Sequence, residues 1–226
     1  MARRAPEAPR PTAVDVLDDA VRVLAPDTDA NRLVARIEAG TAPRAVFATF
    51  ALEQHQVIAA DRLSFQHLAR RADGDPPVAD FFDLLAQGEA RALKQLAGLA
   101  DACELTEREI AGYRPRPGAQ AYPSYAARLA LGGEPADVAI ALSANFAAWG
   151  ATCATVEAAM REHYAFPEAA RAFFGSFAEP APAVEEQARR AVQHGLDTGQ
   201  AQPAVAHRYG RLLQAYELMF WDAVAD

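Results

Sequence analysis

The chain has 226 residues, 51% of them hydrophobic, enough to bury one substantial core and to be read as one domain, residues 13–226, behind a flexible N-terminal tail, residues 1–12. A formal net charge of −8 repels a phosphate backbone, so nucleic acid is not an expected partner. Its two cysteines, Cys103 and Cys153, lie outside any CxxC or Cys/His cluster, which excludes a disulfide framework or a zinc site and fits a reducing cytoplasm.

The first twelve residues are basic but run into proline instead of an apolar stretch, so they do not read as a signal peptide. Thr12 then precedes a short helix to about Leu24, and the Asp27-Thr28-Asp29 cluster caps a second that stops at Gly40. Pro43 opens a long helix to about Arg71, and Pro76-Pro77 open another to about Ala102. Thr106-Glu107-Arg108-Glu109 fits a capping box for a short helix ending near Gly112. Residues 113–118, with two prolines, read as the clearest internal loop.

After Tyr122-Pro123 a short helix reaches Gly132-Gly133, and Pro135, with Asp137 in the first turn, starts a helix to about His163. Residues 138–156 carry no charge, close to the length of a membrane span, but Ser143, Asn145, Gly150, Thr152 and Thr155 dilute the hydrophobicity. A buried central helix is the reading adopted, and no membrane partner is expected. Pro167, Pro180 with Pro182, and Pro203 punctuate three more helices. Alternating β-branched runs and fixed-period repeats are both absent, so the sequence predicts an all-α bundle of nine or ten helices.

Gly40-Thr41-Ala42-Pro43, Tyr122-Pro123-Ser124-Tyr125, Ala141-Leu142-Ser143-Ala144-Asn145 and Tyr216-Glu217-Leu218-Met219-Phe220-Trp221, in that order, resemble the TenA/THI-4 (thiaminase II) family of heme-oxygenase-like helical bundles. Tyr216-Glu217-Leu218-Met219-Phe220-Trp221 resembles the YExxFW string that closes that family. Gly40-Thr41-Ala42-Pro43 followed by Phe47, Phe50 and Gln54 is similar to its opening helix, and Tyr122-Pro123-Ser124-Tyr125 to its AYxxY turn. Ala141-Leu142-Ser143-Ala144-Asn145 stands where the family reads ALxPC, and Phe173-Phe174-Gly175-Ser176 where it reads an aromatic and a small pair. The resemblance covers about residues 27 to 224.

The resemblance implies a multi-helix bundle with a central pocket for a thiamin-related pyrimidine, a catalytic cysteine, an aspartate that orients the ring and a terminal-helix glutamate that handles protons. Carried over, Glu217 takes the place of the glutamate and Tyr122 that of a cavity tyrosine. Asn145 falls on the cysteine, Gln54 on the aspartate, and Trp149 and Phe174 on two further tyrosines. An asparagine amide is no useful nucleophile, and Gln54 can hydrogen-bond a ring nitrogen without pairing its charge. The expected set is therefore Glu217 as catalytic acid or base, with Gln54, Tyr122, Asn145, Trp149, Phe174, Phe50 and Phe146 binding a small-molecule ligand.

Each of these residues has a plainer reading. Glu217 could instead be satisfied by Arg208 or Arg211 on its own helix, and Cys153, on one face with Asn145 and Trp149, could be a displaced nucleophile or simply core. The carboxylates and histidines Glu53, His55, Asp61, His67, His163, His194, Asp197 and His207 lack paired Glu-x-x-His motifs, so no metal and no cofactor is expected. Three readings stay open: a TenA-like hydrolase with a non-standard site, a non-catalytic binding protein of the same fold, and a metal-dependent oxidase of that bundle class. The resemblance also implies a homo-oligomer, a dimer or tetramer.

Overall fold

A computed structural model describes residues 11–226; of the expected tail only residues 11 and 12 are described, the rest lying outside that range. The helices are α1 (Ala13–Val23), α2 (Arg32–Glu38), α3 (Ala45–Arg71), α4 (Pro76–Ala102), α5 (Glu107–Gly112), α6 (Pro117–Gly132), α7 (Pro135–Glu162), α8 (Glu168–Ala178), α9 (Pro182–Thr198) and α10 (Pro203–Ala225), with a 3-10 turn at Thr28–Ala30. No strand occurs among the described residues. The all-α bundle expected from the punctuation is what forms.

Local chemistry accounts for the helix starts. Thr12 and Thr106 each close a capping box, with Asp15 and Glu109 respectively, so two otherwise orphaned N–H groups are satisfied at each start. Pro76, Pro117, Pro135, Pro182 and Pro203 occupy the first helical turn, where the missing N–H costs nothing. Two expectations need correction. Asp27 caps only the 3-10 turn, while the Asn31 side chain caps α2 by accepting from the Val34 N–H at 3.1 Å.

The second correction concerns α6, which begins at Pro117, so Tyr122 and Pro123 lie inside it instead of before it. The cause is a buried anchor. Glu53 of α3 accepts from the Tyr113 hydroxyl at 2.6 Å, the Arg116 backbone N–H at 2.8 Å and the Gln120 amide at 3.1 Å. These bonds fix the residues around the start of α6, so that Pro117 can open the helix directly. Pro123 then leaves the Ala119 carbonyl without its intrahelical donor, a defect the helix tolerates in a packed setting.

The two 27-residue helices α3 and α4 form an antiparallel hairpin that packs along its length, and α8 and α9 lie on α4. On the other side α10 packs against α6 and α7, and α6 also meets α3. Gly98 of α4 has no side chain because the Ala169 backbone occupies the space a Cβ would need, which lets α8 approach closely. Arg171 of α8 is bonded to Glu157 of α7, and Asp137 at the start of α7 accepts from the Gln202 N–H at 2.5 Å, joining it to the start of α10.

Helix α7 is the single described helix long and apolar enough to cross a membrane by length and composition. It packs instead against α1, α2, α8, α9 and α10. Its start, from Pro135 to Leu142, is buried all round, as expected of a central helix. Further along it departs from that expectation: Ala147, Ala151 and Ala154, spaced on one face, are exposed.

Candidate functional site

Six helices converge on one cavity. On α3, Gln54, Val57, Ile58 and Asp61 stand at i, i+3, i+4 and i+7 and so share the face that lines it. Glu89 enters from α4, Tyr122 from α6, Asn145, Phe146 and Trp149 from α7, Phe173 and Phe177 from α8, and Glu217 and Phe220 from α10. The space open to the centre of a water molecule is about 60 Å³, room for about four waters or one compact ligand.

At the centre is a chain of polar contacts linking α6, α7 and α10. The Tyr122 hydroxyl donates to Asn145 Oδ1 at 2.8 Å, and Asn145 Nδ2 donates to Glu217 Oε2 at 2.7 Å, with a longer contact of 3.4 Å to Gln214 Oε1. Asn145 is 2% exposed, and its amide has partners on both sides, as an interior amide requires. Glu217 has no ion pair with Arg208 or Arg211, so the plain salt-bridge reading is not what the fold builds.

Burial pushes the Glu217 carboxyl up to about 7, against the lowering effect of the donations from Asn145 and, more weakly, from the direction of Trp221. The Trp221 indole N–H is buried without a partner in normal hydrogen-bond geometry, so its influence on Glu217 is that of a nearby dipole and not of a formed bond. Near neutral pH, Glu217 therefore exists in both protonation states, the condition for an acid or base in water. Tyr122, by contrast, is held well above the phenol range, first by burial and then by Asp61, Glu217 and Glu89.

Glu217 also lines an outer groove of about 880 Å³ between the α1–α2 segment and helices α7 and α10, together with Gln214 and Trp221. Its carboxyl thus stands at the partition between cavity and groove. The aromatic wall is continuous: Trp149 lies 5.7 Å from Trp221 and 6.1 Å from Phe177, and Phe173 lies 5.1 Å from Phe177. Flat aromatic walls suit an aromatic ring.

Six of the eight residues expected from sequence line the cavity: Gln54, Tyr122, Asn145, Phe146, Trp149 and Glu217. Phe50 and Phe174 do not. They pack behind the wall, 4.7 Å apart, with Phe50 stacked on Trp221 at 5.5 Å, because Phe173 and not Phe174 falls on the inward face of α8. Cys153 is fully buried in the core, and burial pushes its thiol well up, away from the reactive thiolate.

Sequence reasoning missed Asp61 and Glu89 as cavity residues. Asp61 had a signal, since it stands seven residues after Gln54 on one face; Glu89 interrupts the apolar series Leu85, Ala92, Leu96 at helical spacing. Burial pushes Asp61 up to about 8, and burial with the adjacent Asp61 pushes Glu89 well up. Among the described residues no three His, Cys, Asp or Glu side chains group closely enough to hold a metal ion.

Comparison with known proteins gives one consistent result. The model of the TENA/THI-4/PQQC family matches residues 32–226. A structure of a TenA homologue from P. horikoshii OT3 superposes with a TM-score of 0.70 at 15% identity, covering 95% of this chain and 98% of that one. A TenA homologue from Pyrococcus furiosus gives 0.67 at 14% identity, covering 94% and 97%. A protein titled a TenA family transcription regulator, from Silicibacter sp. TM1040, gives 0.68 at 14%, covering 96% and 99%. At such identities the structures establish the fold alone. No match was found among curated proteins.

Proposed function

The chain belongs to the TENA/THI-4/PQQC family, and from that premise we propose that its cavity takes a thiamin-pyrimidine-like or other small heteroaromatic compound and acts on it by acid–base chemistry at Glu217. The observation that carries this reading is the Tyr122–Asn145–Glu217 chain inside an aromatic enclosure. It sets a carboxyl poised near 7 against the ligand space, and by the family resemblance its amide stands where a thiol nucleophile is expected and has none of that reactivity.

In the hydrolytic form of the reaction, water attacks an electrophilic ring carbon. Glu217 takes one of its protons as the C–O bond forms, and returns it to the amine nitrogen as the C–N bond breaks. Asn145 orients the carboxyl, and Tyr122 orients Asn145. Trp149, Phe173 and Phe177 hold the ring by stacking and edge contacts. The test is incubation with aminopyrimidines while following ammonia release and the substrate by mass spectrometry. Turnover lost in Glu217→Gln supports the reading, and turnover unchanged in that variant overturns it.

One observation favours a second reading, a non-catalytic binding protein. The Tyr122–Asn145–Glu217 chain already satisfies its central amide within the protein, as a site that has given up nucleophilic chemistry would. Thermal stabilisation by the same compounds without any turnover distinguishes it.

A further inference from the structure

The Tyr122–Asn145–Glu217 chain leaves a second polar group of the cavity without a role. Asp61, on α3, is 5% exposed, and its Oδ1 has no hydrogen-bond donor. Glu89, on α4, lines the same cavity, and the nearby Asp61 opposes its ionisation. Gln54, two turns before Asp61 on the same face of α3, is 6% exposed with its Oε1 also lacking a donor. Buried acceptors are normally partnered. Two on one face of one helix, both on residues that line one cavity, are unpartnered among the described residues and open to a donor from a bound ligand.

The charge balance gives the donor's chemistry. Glu89 from α4, Tyr122 from α6 and Glu217 from α10 are the titratable groups that share the cavity with Asp61, while α7 and α8 contribute Asn145 and uncharged side chains. Among the described residues no lysine, arginine or histidine lines the cavity. Three carboxyls in an apolar enclosure without a counter-charge would be met by a cation that can also donate hydrogen bonds. A divalent metal is the poorer fit, because the carboxyls do not cluster as a chelating set.

We propose that Asp61 and Glu89 form a binding subsite for the protonated amine of a small aromatic ligand, with Gln54 Oε1 accepting from a further N–H. The proposal rests on the cavity being the ligand site, as above, but not on Glu217 being its acid or base. Burial disfavours the charged form of both carboxyls, and Asp61 adds to that effect on Glu89. Entry of an ammonium group favours the carboxylate, so binding expels a proton to the buffer. The aromatic body then lies against Phe146 and Trp149.

Benzylamine and benzyl alcohol, matched in shape and different in charge, serve as probes, titrated calorimetrically into the full-length chain at about pH 7, below the pKa of a free amine. The amine is expected to bind about tenfold or more tighter, with a heat that changes with the ionisation enthalpy of the buffer. Asp61→Asn and Glu89→Gln, which mimic the protonated forms and should fold normally, are expected to abolish both the preference and the buffer dependence while leaving alcohol binding within about twofold. Equal affinity for the two probes in the unmodified protein would overturn the subsite without needing any variant. So would a preference that survives both substitutions, or displacement of benzylamine by Mg²⁺, which would reassign the pair to a metal. Glu217→Gln separates the two readings: it should retain the amine preference even where turnover is lost.

Discussion

Asn145 of α7 donates to Glu217 of α10 across 2.7 Å, and this contact holds Glu217 where it lines both the cavity and the outer groove. Because the partner is a neutral amide and not an arginine, the bond orients Glu217 without fixing its charge. A guanidinium would hold the carboxyl ionised far below neutral pH. The amide leaves burial as the larger effect, with a carboxyl near 7 as the result.

Glu217→Gln should accordingly separate function from stability. Glutamine keeps the shape and can still accept from Asn145, so the melting temperature should hold or rise. Turnover should fall by about 10²-fold or more, the usual cost of losing a general acid or base. Differential scanning calorimetry and a turnover assay on one preparation give both numbers. A large loss of stability with unchanged turnover would make Glu217 architectural.

Asn145→Cys places a thiol where the family resemblance expects one, beside a carboxyl that could take its proton. Aminopyrimidine hydrolysis in the unmodified protein should be absent or slow, and the variant should release ammonia at least about tenfold faster. The substitution also removes the amide that partners Tyr122 and Glu217, a cost of about 1–3 kcal/mol that chemical denaturation would register. Fast hydrolysis by the unmodified chain would show that Asn145 is no barrier to the reaction.

The fold was legible because helix punctuation is local: Thr12 and Thr106 cap with residues three positions on, and Pro76, Pro135 and Pro203 sit where only a first turn accepts them. The start of α6 was not, since what fixes it is Glu53, more than sixty residues earlier. The site followed the same rule. Glu217 and Tyr122 could be placed from short strings, but Phe173 and Phe174 are adjacent, and only the docking angle of α8 decides which faces inward. Asp61 and Glu89 become a pair only when α3 and α4 pack, a relation no local pattern contains.

Thiol labelling tests the position of Cys153. Cys103 ends α4 half-buried, whereas Cys153 is fully enclosed and its thiol is pushed well up. A maleimide at mildly alkaline pH should modify at most Cys103 in the native protein and both cysteines in denaturant, as counted by intact-mass spectrometry. Rapid native labelling of Cys153 would place it at an accessible surface and restore its candidacy as a nucleophile.

The buried carboxyls also set the direction of the pH dependence of stability. In the unfolded chain Asp61 and Glu217 ionise near 3.8 and 4.5; in the fold they do so near 8 and 7. Below about pH 3 both states hold these protons and neither group affects the balance. As pH rises, the unfolded chain releases protons that the fold retains, so stability falls through the interval up to about pH 8 and levels beyond it. Glu217 alone contributes a loss on the order of 3 kcal/mol across its part of that window. Asparagine at position 61 does not titrate and removes the Asp61 share. The melting temperature of Asp61→Asn should therefore gain on that of the unmodified protein steadily from about pH 5 to about pH 8.5, whatever other groups contribute to both. A constant offset between the two curves would mean that Asp61 ionises normally in the fold, open to solvent, and is not enclosed in the cavity at all.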